Sequence, residues 1–475
     1  MKVLLIRPVT PERVVLNVVP PMGLGYLASS LKKVGITVCI LDCVQKEYDY
    51  TQFTDFVKEY NPDVVGFTSF SHDIPSVERS IGLVKEINTR IVTFVGGPHP
   101  SSRPENIWDD YPSVDYGFRG EGEEGFLKII EYLSSVGEPW NKDFLDESEL
   151  RSVPGLIWKC DDKICCNDQV FQNDLDAISF PAWELIDISG YQSAPQGVIF
   201  KNQPVAPMII TRGCPFLCTF CAGFNITGRK LRFRSIENVM EEIDLLYNKY
   251  NVREIHILDD NFTLDTKFAR KFCEELIRRK LNISWCCPNG LRLDSLDKEI
   301  LVLMRKAGCY YISIGIESGS QRVLDMMKKK LKISEIKRQV DMVRSVGLDV
   351  NGFFILGYPG ETIDDIRKTI DFARELDLSR AAFYNFLPLP GTSVYEDLLE
   401  GHKIDGLDWT KMTQWDVPYV PDGMKADQLK EFQRSAFLKF YLRPIIFYRL
   451  LREIKSISQL KFIAKRAWAN LLSNQ

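Results

Sequence analysis

RGCPFLCTFC, residues 212–221, places Cys214, Cys218 and Cys221 at the spacing C-x3-C-x2-C directly after a strand-like segment. A structural zinc site normally has four protein ligands, and no fourth Cys or His stands near these three in the sequence. Three thiolates on a short loop can instead hold three irons of a [4Fe–4S] cluster, which leaves the fourth iron free for a small chelating ligand. The loop therefore predicts an iron–sulfur centre, with Phe216 and Phe220 placed to shield it.

The chain that carries this loop has the composition of a globular protein. It has 475 residues, of which 45% are hydrophobic and 26% charged, with a net charge of -4 and 12 cysteines. Its length suggests two or three domains, and it shows neither an export signal nor an apolar run long enough for a membrane span. Without export, the cysteines favour metal binding or catalysis over disulfides. We therefore expect a cytoplasmic protein with no transmembrane segment and, given its charge, no nucleic-acid partner.

Strand-like and helix-like segments alternate on the C-terminal side of the cysteine loop. The strand candidates are 208–212, 253–258, 284–287, 310–315, 352–356 and 381–386, and the helix candidates between them are 235–250, 266–280, 297–306, 334–346 and 362–376. Six such units predict a partial (β/α)6 barrel, whose site lies at the C-terminal ends of its strands.

The same alternation precedes the loop. Strand candidates at 3–6, 36–41, 63–68 and 91–95 are separated by helical stretches at 23–34, 51–60 and 74–88, which is typical of a doubly wound parallel sheet. The predicted fold class is therefore α/β. We expect a Rossmann-like domain over 1–135, a linker with short strands (a hairpin at 155–160 and 163–167) over 136–205, the barrel over 206–395, and a mostly helical region over 396–475.

The C-terminal region is basic. Residues 426–475 contain ten Lys or Arg against three acids, in an amphipathic pattern. This pattern fits a helical cap with a solvated basic face, or a docking surface for an acidic partner or a membrane.

Residues 205–395 resemble the radical S-adenosylmethionine (SAM) superfamily in several motifs besides the cysteines. These are LDDNFT at 258–263, PNGLR at 288–292, IGIES at 314–318 and FILGYPGE at 354–361. The resemblance implies that SAM chelates the free iron and is cleaved reductively to a 5′-deoxyadenosyl radical. It therefore also implies an electron donor such as flavodoxin or ferredoxin, and an anaerobic cytoplasm.

The resemblance also suggests how single residues contact SAM. Glu317 is expected to accept a hydrogen bond from its ribose or amino group, and Arg292 to neutralise its carboxylate. Gly357, with Gly360, is expected to let the backbone approach the adenine. Asp260, with its neighbours Asp259 and Asn261, is expected to line the cavity at the mouth of the barrel. The alternative is that the glycines serve loop turns and the charges pair locally. The lysine run within 321–330 is expected to be solvated.

Residues 1–135 resemble the cobalamin-binding domains that are fused to radical SAM barrels. The resemblance lies in PPMGLGYLA at 20–28, GGPHP at 96–100 and GEGEE at 120–124. The residues that it assigns to cobalamin are Met22, Gly23, Gly25, Ser69, His72, Gly96, Gly97, His99 and Glu121. The D-x-H-x-x-G motif of methionine-synthase-like domains is absent. His72 is then either a cobalt ligand or an ordinary loop residue, and His99 either lines the corrin or stabilises a turn.

Together the two resemblances imply a cobalamin-dependent radical SAM methyltransferase. Its SAM would serve as radical source and as methyl donor through methylcobalamin, and its target would be an unactivated sp3 carbon. The substrate is a protein side chain, such as the glutamine of methyl-coenzyme M reductase, or a small molecule. One alternative is an enzyme that uses the same cofactors to cyclise, oxidise or rearrange a small molecule or tetrapyrrole. The other is a cobalamin carrier or metal sensor without catalytic activity.

Overall fold

The structure is a computed structural model and describes residues 1–10, 19–136, 146–160, 163–191, 200–454 and 460, without the side chains of 451–453. The last part of the basic C-terminal region, residues 455–459 and 461–475, therefore lies outside the described residues.

A seven-stranded sheet forms the N-terminal domain. Its strands are β1 (Lys2–Arg7), β2 (Thr37–Asp42), β3 (Val64–Thr68), β4 (Val92–Gly96), β5 (Tyr116–Phe118), β6 (Leu156–Cys160) and β7 (Lys163–Cys166). The spatial order is β2-β1-β3-β4-β5-β6-β7, with the first five parallel. The order 2-1-3-4-5 is that of a doubly wound fold, which binds ligands at the carboxyl ends of its strands. The predicted Rossmann-like domain is confirmed.

The predicted hairpin is confirmed, but its place differs from the linker assignment. β6 pairs antiparallel with β7 and also with β5 through Gly117 and Ile157, so the hairpin extends the first sheet. β5 has only three residues, and β6 covers the edge that this short strand would otherwise expose.

Helices cover both faces of the first sheet. They are α1 (Met22–Lys33), α2 (Tyr50–Tyr60), α3 (Ile74–Ile87), α4 (Pro98–Ser102), α5 (Ile107–Asp110), α6 (Glu123–Ser135) and α7 (Glu147–Arg151). One core contains residues of α1 and α6, and the other contains residues of α2 and α3. The start of α1 also packs on the second domain, where Met22 and Tyr26 join the larger core.

Close packing of α6 gives a testable consequence. A Cβ atom at Gly125 would lie 2.1 Å from the Pro154 carbonyl oxygen and 3.0 Å from the Phe118 ring. We expect Gly125→Ala to lower the free energy of unfolding by about 1–3 kcal/mol, the usual cost of overpacking. On α3, a Cβ at Gly82 meets nothing within 4 Å, so Gly82→Ala should instead stabilise by about 0.5–1 kcal/mol. Urea denaturation of both variants checks this, and equal effects would contradict the packing argument.

Six parallel strands form the second domain. They are β8 (Val205–Met208), β11 (Glu254–Ile257), β12 (Ser284–Leu291), β13 (Cys309–Glu317), β14 (Asp349–Leu356) and β15 (Arg380–Asn385). They pair in sequence order, and within the described residues β8 and β15 are the two edges, so the barrel is open. Two further strands, β9 (Thr211–Arg212) and β10 (Arg232–Phe233), form an antiparallel pair.

The first barrel strand departs from the prediction. The expected strand 208–212 is split: β8 ends at Met208, and Thr211 and Arg212 belong to β9. Pro207 lies in β8, and a proline is tolerated there because β8 is an edge strand.

The remaining helices surround the barrel and cap it. They are α8 (Phe224–Thr227), α9 (Ile236–Lys249), α10 (Thr266–Arg279), α11 (Lys298–Lys306), α12 (Gln321–Met326), α13 (Ile333–Ser345), α14 (Ile363–Glu375), α15 (Ser393–Glu400), α16 (Ala426–Tyr441) and α17 (Pro444–Glu453). Tyr441 of α16 donates to the Ala381 carbonyl of β15 at 2.9 Å, as expected of a helical cap. Among the described helices, none is long and apolar enough to cross a membrane.

Candidate functional site

The cysteine loop follows β9 at the mouth of the barrel. Gly213 opens it with φ +95°, and a Cβ there would lie 2.2 Å from the Lys230 carbonyl oxygen, so the tight pairing with β10 requires glycine. The Cys221 N–H donates to the Cys218 carbonyl at 3.2 Å and the Thr219 N–H to the Met327 carbonyl at 3.1 Å. The first bond closes a turn between Cys218 and Cys221, and the second ties the loop to the segment that follows α12.

The surroundings of the loop disfavour the thiolate form of two of its cysteines. Burial raises the pKa of Cys214, and the nearby Asp260 carboxylate and Cys218 thiol raise it further. Desolvation by the surrounding loop raises the pKa of Cys221 to about 11, with the same two groups adding to it. Cationic irons would supply the missing counter-charge, because metal binding deprotonates the ligand thiols. The donor set therefore fits an iron–sulfur cluster.

Asp259 and Asp260 lie beside the loop. Asp259 is buried and accepts hydrogen bonds from the Ile210 and Thr211 N–H groups at 2.7 and 2.9 Å, and burial raises its pKa to about 7. It thus ties the end of β11 to the segment before the cysteines. Asp260 accepts from the Thr227 hydroxyl at 2.7 Å. The Asn261 side chain is buried, and its amide has no partner among the described residues.

Arg292 contacts the cysteine loop directly. Its guanidinium lies 3.7 Å from the centre of the Phe216 ring. Two of its nitrogens are engaged, by Asp294 at 2.9 and 2.7 Å and by the Lys329 carbonyl at 3.0 Å. Its buried Nη1 has no partner among the described residues, so one donor is free for an anion such as the expected SAM carboxylate.

Glu317 forms a buried ion pair at the end of β13. Its Oε1 accepts from Lys329 Nζ at 2.7 Å, and Lys329 Nζ lies 5.8 Å from the Phe220 ring centre. The expectation of a solvated lysine run is therefore wrong for Lys329, whereas Lys328 and Lys330 are exposed. Both neighbours have positive φ, 51° and 57°, and this backbone turn brings the middle lysine inward. Lys329 is a site residue that the sequence reasoning missed.

Gly357 and Glu361 form a local hydrogen-bonded turn after β14. A Cβ at Gly357 would lie 3.1 Å from the Leu429 side chain of α16, so its small size serves packing in this structure. Glu361 is buried, and one carboxyl oxygen accepts from the N–H groups of Gly357 and Tyr358 at 2.6 and 3.1 Å.

Burial raises the pKa of Glu361 to about 8, and this gives a pH prediction. Because the unfolded carboxyl releases its proton near a pKa of about 4.3, the stabilising contribution is complete below that pH and is lost as the pH rises through about 8. Glu361→Gln keeps the acceptor oxygen but cannot ionise. Between about pH 5 and about pH 8 the wild type should lose stability relative to this variant in urea unfolding. Parallel pH profiles would contradict the assignment.

The loops of the N-terminal domain bring Ser69, Gly96, Gly97 and His99 together at the carboxyl edge of the first sheet. The Ser69 N–H donates to the Gly96 carbonyl at 2.8 Å, and the His99 N–H to the Ser69 carbonyl at 3.1 Å. A Cβ at Gly97 would lie 2.8 Å from the Thr68 hydroxyl. This close approach needs glycine, and it holds the loops that follow β3 and β4 together.

The two histidines at this edge, His72 and His99, differ in burial and in hydrogen bonding. His99 is buried, and its Nδ1 and Nε2 lie 3.0 Å from the Ser71 hydroxyl and from Asp110 respectively, so it stabilises the turn. His72 is partly exposed, stacks on Phe70, and its Nε2 lies 3.3 Å from Asp73. His72 is therefore the histidine of this edge that a bound group can reach.

The remaining predicted cobalamin contacts lie at the interface between the domains. Met22 is buried in the core of the second domain, and Gly23 is exposed with open space at its Cβ position. A Cβ at Gly25 would lie 2.9 Å from Pro181, so its small size allows α1 to approach the linker. Glu121 pairs with Arg232 at 2.6 Å and Arg212 at 3.3 Å. In this structure Gly25 packs against the linker, and Glu121 forms an ion pair with the second domain.

The segments after β4 and after the cysteines touch each other. Asn225 in α8, four residues after Cys221, donates to the Ser102 hydroxyl of α4 at 3.1 Å. The helix that follows β4 in the first domain is therefore in contact with the helix that follows the cysteine loop in the second.

Comparison with known proteins finds a matching family model for each of the two domains. Residues 208–373 match the family model "Radical SAM superfamily", and residues 13–130 match "B12 binding domain". An uncharacterized methyltransferase of Pyrococcus horikoshii is 31% identical over 99% of this chain and 98% of its own length. An anaerobic magnesium-protoporphyrin IX monomethyl ester cyclase of Rubrivivax gelatinosus is 28% identical over 89% of this chain and 74% of its own.

A solved structure supports the same fold. The cobalamin-dependent SAM radical enzyme OxsB, with aqua-cobalamin and SAM bound, superposes with a TM-score of 0.73 at 17% identity, over 99% of this chain and 71% of that one. The family's cofactors are a [4Fe–4S] cluster, SAM and cobalamin. In this chain the cysteine loop would hold the cluster, and the loop cluster of the first sheet would hold the corrin. The end-to-end match to the methyltransferase shows that this chain is an enzyme of the cobalamin-dependent radical SAM methyltransferase family.

Proposed function

We propose that this enzyme methylates an unactivated sp3 carbon. When bound, the cluster with SAM supplies a 5′-deoxyadenosyl radical, and cobalamin supplies a methyl group that tolerates radical chemistry. The single observation that carries the proposal is the Asn225–Ser102 contact, which joins the helix after the cysteine loop to the helix after the GGPHP segment of the cobalamin-type domain. A substrate carbon held between the two would face both cofactors.

The chain's own residues have positioning roles in this proposal. The free Nη1 of Arg292 would bind the SAM carboxylate, a charge-assisted contact. The Glu317–Lys329 pair, 2.7 Å apart, would present a carboxylate oxygen to the SAM amino or ribose group. Phe216 and Phe220 would shield the cluster from water. Reductive cleavage also needs an electron, for which we propose a flavodoxin or ferredoxin as donor.

The substrate of the proposed reaction is a protein side chain, such as the glutamine of methyl-coenzyme M reductase, or a small molecule. Anaerobic turnover with reductant should yield both 5′-deoxyadenosine and S-adenosylhomocysteine, with a mass gain of about 14 Da on the product. The fraction that gains this mass, protein or small molecule, identifies the substrate type. Absence of either nucleoside product would refute the dual use of SAM.

A second candidate is cyclisation or oxidation of a tetrapyrrole, which the 28% identity to the cyclase favours. The cyclase has a quarter of its length outside the match, whereas the methyltransferase matches from end to end. A product with changed hydrogen or oxygen content and no added methyl group would favour this candidate.

A further inference from the structure

Two strongly basic segments meet at the cysteine loop. Residues 212–234, which contain the loop, have five Lys or Arg and no acidic residue. Residues 321–332, which follow β13, have five Lys or Arg and one acidic residue. The segments are in contact, because the Thr219 N–H donates to the Met327 carbonyl at 3.1 Å. Positive charge is thus concentrated here, in a chain whose net charge is -4.

Four of these basic side chains have no carboxylate partner among the described residues. The other six form ion pairs, and they are Arg212, Arg232, Arg234, Arg322, Lys329 and Lys332. The four that remain are all exposed, and they are Arg229, Lys230, Lys328 and Lys330. Their charge is therefore presented to solvent instead of being cancelled within the fold.

Contacts tie these four cations to the cysteine loop. Arg229 Nη1 donates to the Phe216 carbonyl at 2.9 Å, and the Lys230 carbonyl is the group that requires glycine at position 213. Lys328 and Lys330 flank Lys329, whose carbonyl accepts from Arg292 at 3.0 Å, and Arg292 stacks on the Phe216 ring.

An apolar side chain stands on the same loop. Leu217, next to Phe216 and between two of the predicted cluster ligands, is 53% exposed. We call the five exposed residues the basic loop surface, and they are Leu217, Arg229, Lys230, Lys328 and Lys330.

Neighbouring carboxylates do not cancel the charge of this surface. Three carboxylates adjoin the two segments, and each already accepts a hydrogen bond from a nearby side chain; they are Asp260, Asp294 and Asp325. Asp294 pairs with the Arg292 guanidinium at 2.7 Å, so its charge is balanced. Asp260 and Asp325 remain against four cations, and the surface keeps a positive charge.

The basic loop surface has the character of a docking site for a protein. An apolar contact with a charged rim is the usual anatomy of a protein–protein interface. A positive rim attracts a partner with an acidic face and speeds its association. Because this surface lies on the loop that presents the cluster cysteines, it favours a partner that must bring its own redox group close to the cluster. Electron-transfer encounters are small, below about 1,200 Å² of buried area, so a few residues suffice.

We propose that the basic loop surface docks an electron-carrier protein with an acidic face. The reduced carrier loses one electron and the cluster gains it, and no atom or proton is transferred. The proposal deepens the proposed function and rests on it for the need of an electron. RNA is the competing partner, but most contacts to nucleic acids are made to phosphates, for which an exposed Leu217 offers nothing.

Binding is tested with a purified acidic flavodoxin and the full-length, cofactor-loaded enzyme by anaerobic titration calorimetry. Lys328→Glu with Lys330→Glu should weaken binding by about tenfold or more at low salt, because the electrostatic attraction is reversed. The affinities of the wild type and this variant should converge as salt rises from about 0.01 M to about 1 M, where the Debye length falls from about 30 Å to about 3 Å.

The matched control is Lys58→Glu with Lys271→Glu, which changes the net charge by the same amount. Both lysines are exposed, Lys58 on α2 and Lys271 on α10, and neither belongs to the basic loop surface. This control should bind flavodoxin as the wild type does. Equal affinity of the wild type and Lys328→Glu with Lys330→Glu at low salt would overturn the proposal.

A second measurement separates docking from damage to the cluster. SAM cleavage would be driven either by limiting reduced flavodoxin or by reduced methyl viologen, a small reductant that needs no docking surface. Lys328→Glu with Lys330→Glu should slow the flavodoxin-driven reaction by about tenfold or more and leave the viologen-driven reaction unchanged. Equal loss with both reductants, or binding of transfer RNA but not flavodoxin to this surface, would overturn the proposal.

The outcome is separable from that of the proposed function. If 5′-deoxyadenosine and S-adenosylhomocysteine both form with methyl viologen but flavodoxin binding does not depend on Lys328 and Lys330, the docking assignment alone fails. If flavodoxin binding depends on these lysines but S-adenosylhomocysteine is missing, the methylation proposal fails and the docking surface stands.

Discussion

Cys218→Ala is expected to abolish both the iron–sulfur centre and the reductive cleavage of SAM. With two remaining thiols, the loop cannot hold the three irons that leave one open for SAM. Iron content should fall from about four per chain to a small residue, and 5′-deoxyadenosine formation should fall below detection. Both quantities are measured after anaerobic reconstitution, by iron analysis and by chromatography of the nucleoside.

Cys166→Ala is the matched control for this prediction. Cys166 is exposed on β7, an edge strand of the first sheet, and is not part of the C-x3-C-x2-C loop, so its removal should leave iron content and SAM cleavage unchanged. Retained cleavage in Cys218→Ala, or equal loss in Cys166→Ala, would contradict the assignment of the loop.

Glu121→Ala is expected to destabilise the protein by about 3–5 kcal/mol, the usual cost of removing one partner of a buried ion pair. Glu121 accepts from Arg232 Nη1 and Nη2 at 2.8 and 2.6 Å, and Arg232 is 4% exposed. The variant leaves this guanidinium buried without its carboxylate. Arg212, two residues before Cys214, loses one partner and keeps Glu123 at 2.7 Å. We therefore also expect weaker retention of iron.

The control for Glu121→Ala is Glu184→Ala. Glu184 pairs with Lys32, and the two side chains are 44% and 42% exposed, so this pair should contribute less than about 1 kcal/mol. Urea unfolding of the two variants gives the comparison. Similar losses in both would show that the Glu121–Arg232 pair does not hold the domains together.

Much of the fold follows from local sequence patterns. Ser235 and Asp265 cap the N-termini of the barrel helices α9 and α10, because their side chains accept hydrogen bonds from the first helical turn. Both helices end within about two residues of the predicted bounds. The cysteine loop is predictable because its three cysteines lie within residues 214–221, so the chain itself brings them near one another.

The parts that sequence reasoning missed depend on contacts between distant segments. β5 has three residues and is defined by pairing with β4 and β6. Arg232 lies 111 residues from Glu121 along the chain, and no local pattern reveals that pair. Lys329 looks like its two neighbours in sequence and differs only through the backbone turn that buries it.

Contacts between distant segments also decide the surroundings of the glycines in the cobalamin-type loops. The resemblance assigns Gly25 and Gly97 to cobalamin, and in the structure a Cβ at either position would be in short contact with another part of the chain, Pro181 for Gly25 and the Thr68 hydroxyl for Gly97. A small residue in a loop indicates a close approach, and the sequence does not say whether the approaching group is a ligand or another part of the chain.

Metal analysis of anaerobically purified, reconstituted protein tests the central claim most directly, namely that one chain holds an iron–sulfur cluster and a corrin at a shared interface. We expect about four iron atoms per chain, with cobalt equimolar to the chain and a corrin absorbance band in the same sample. Protein that is folded but contains neither the iron nor the corrin would contradict the account.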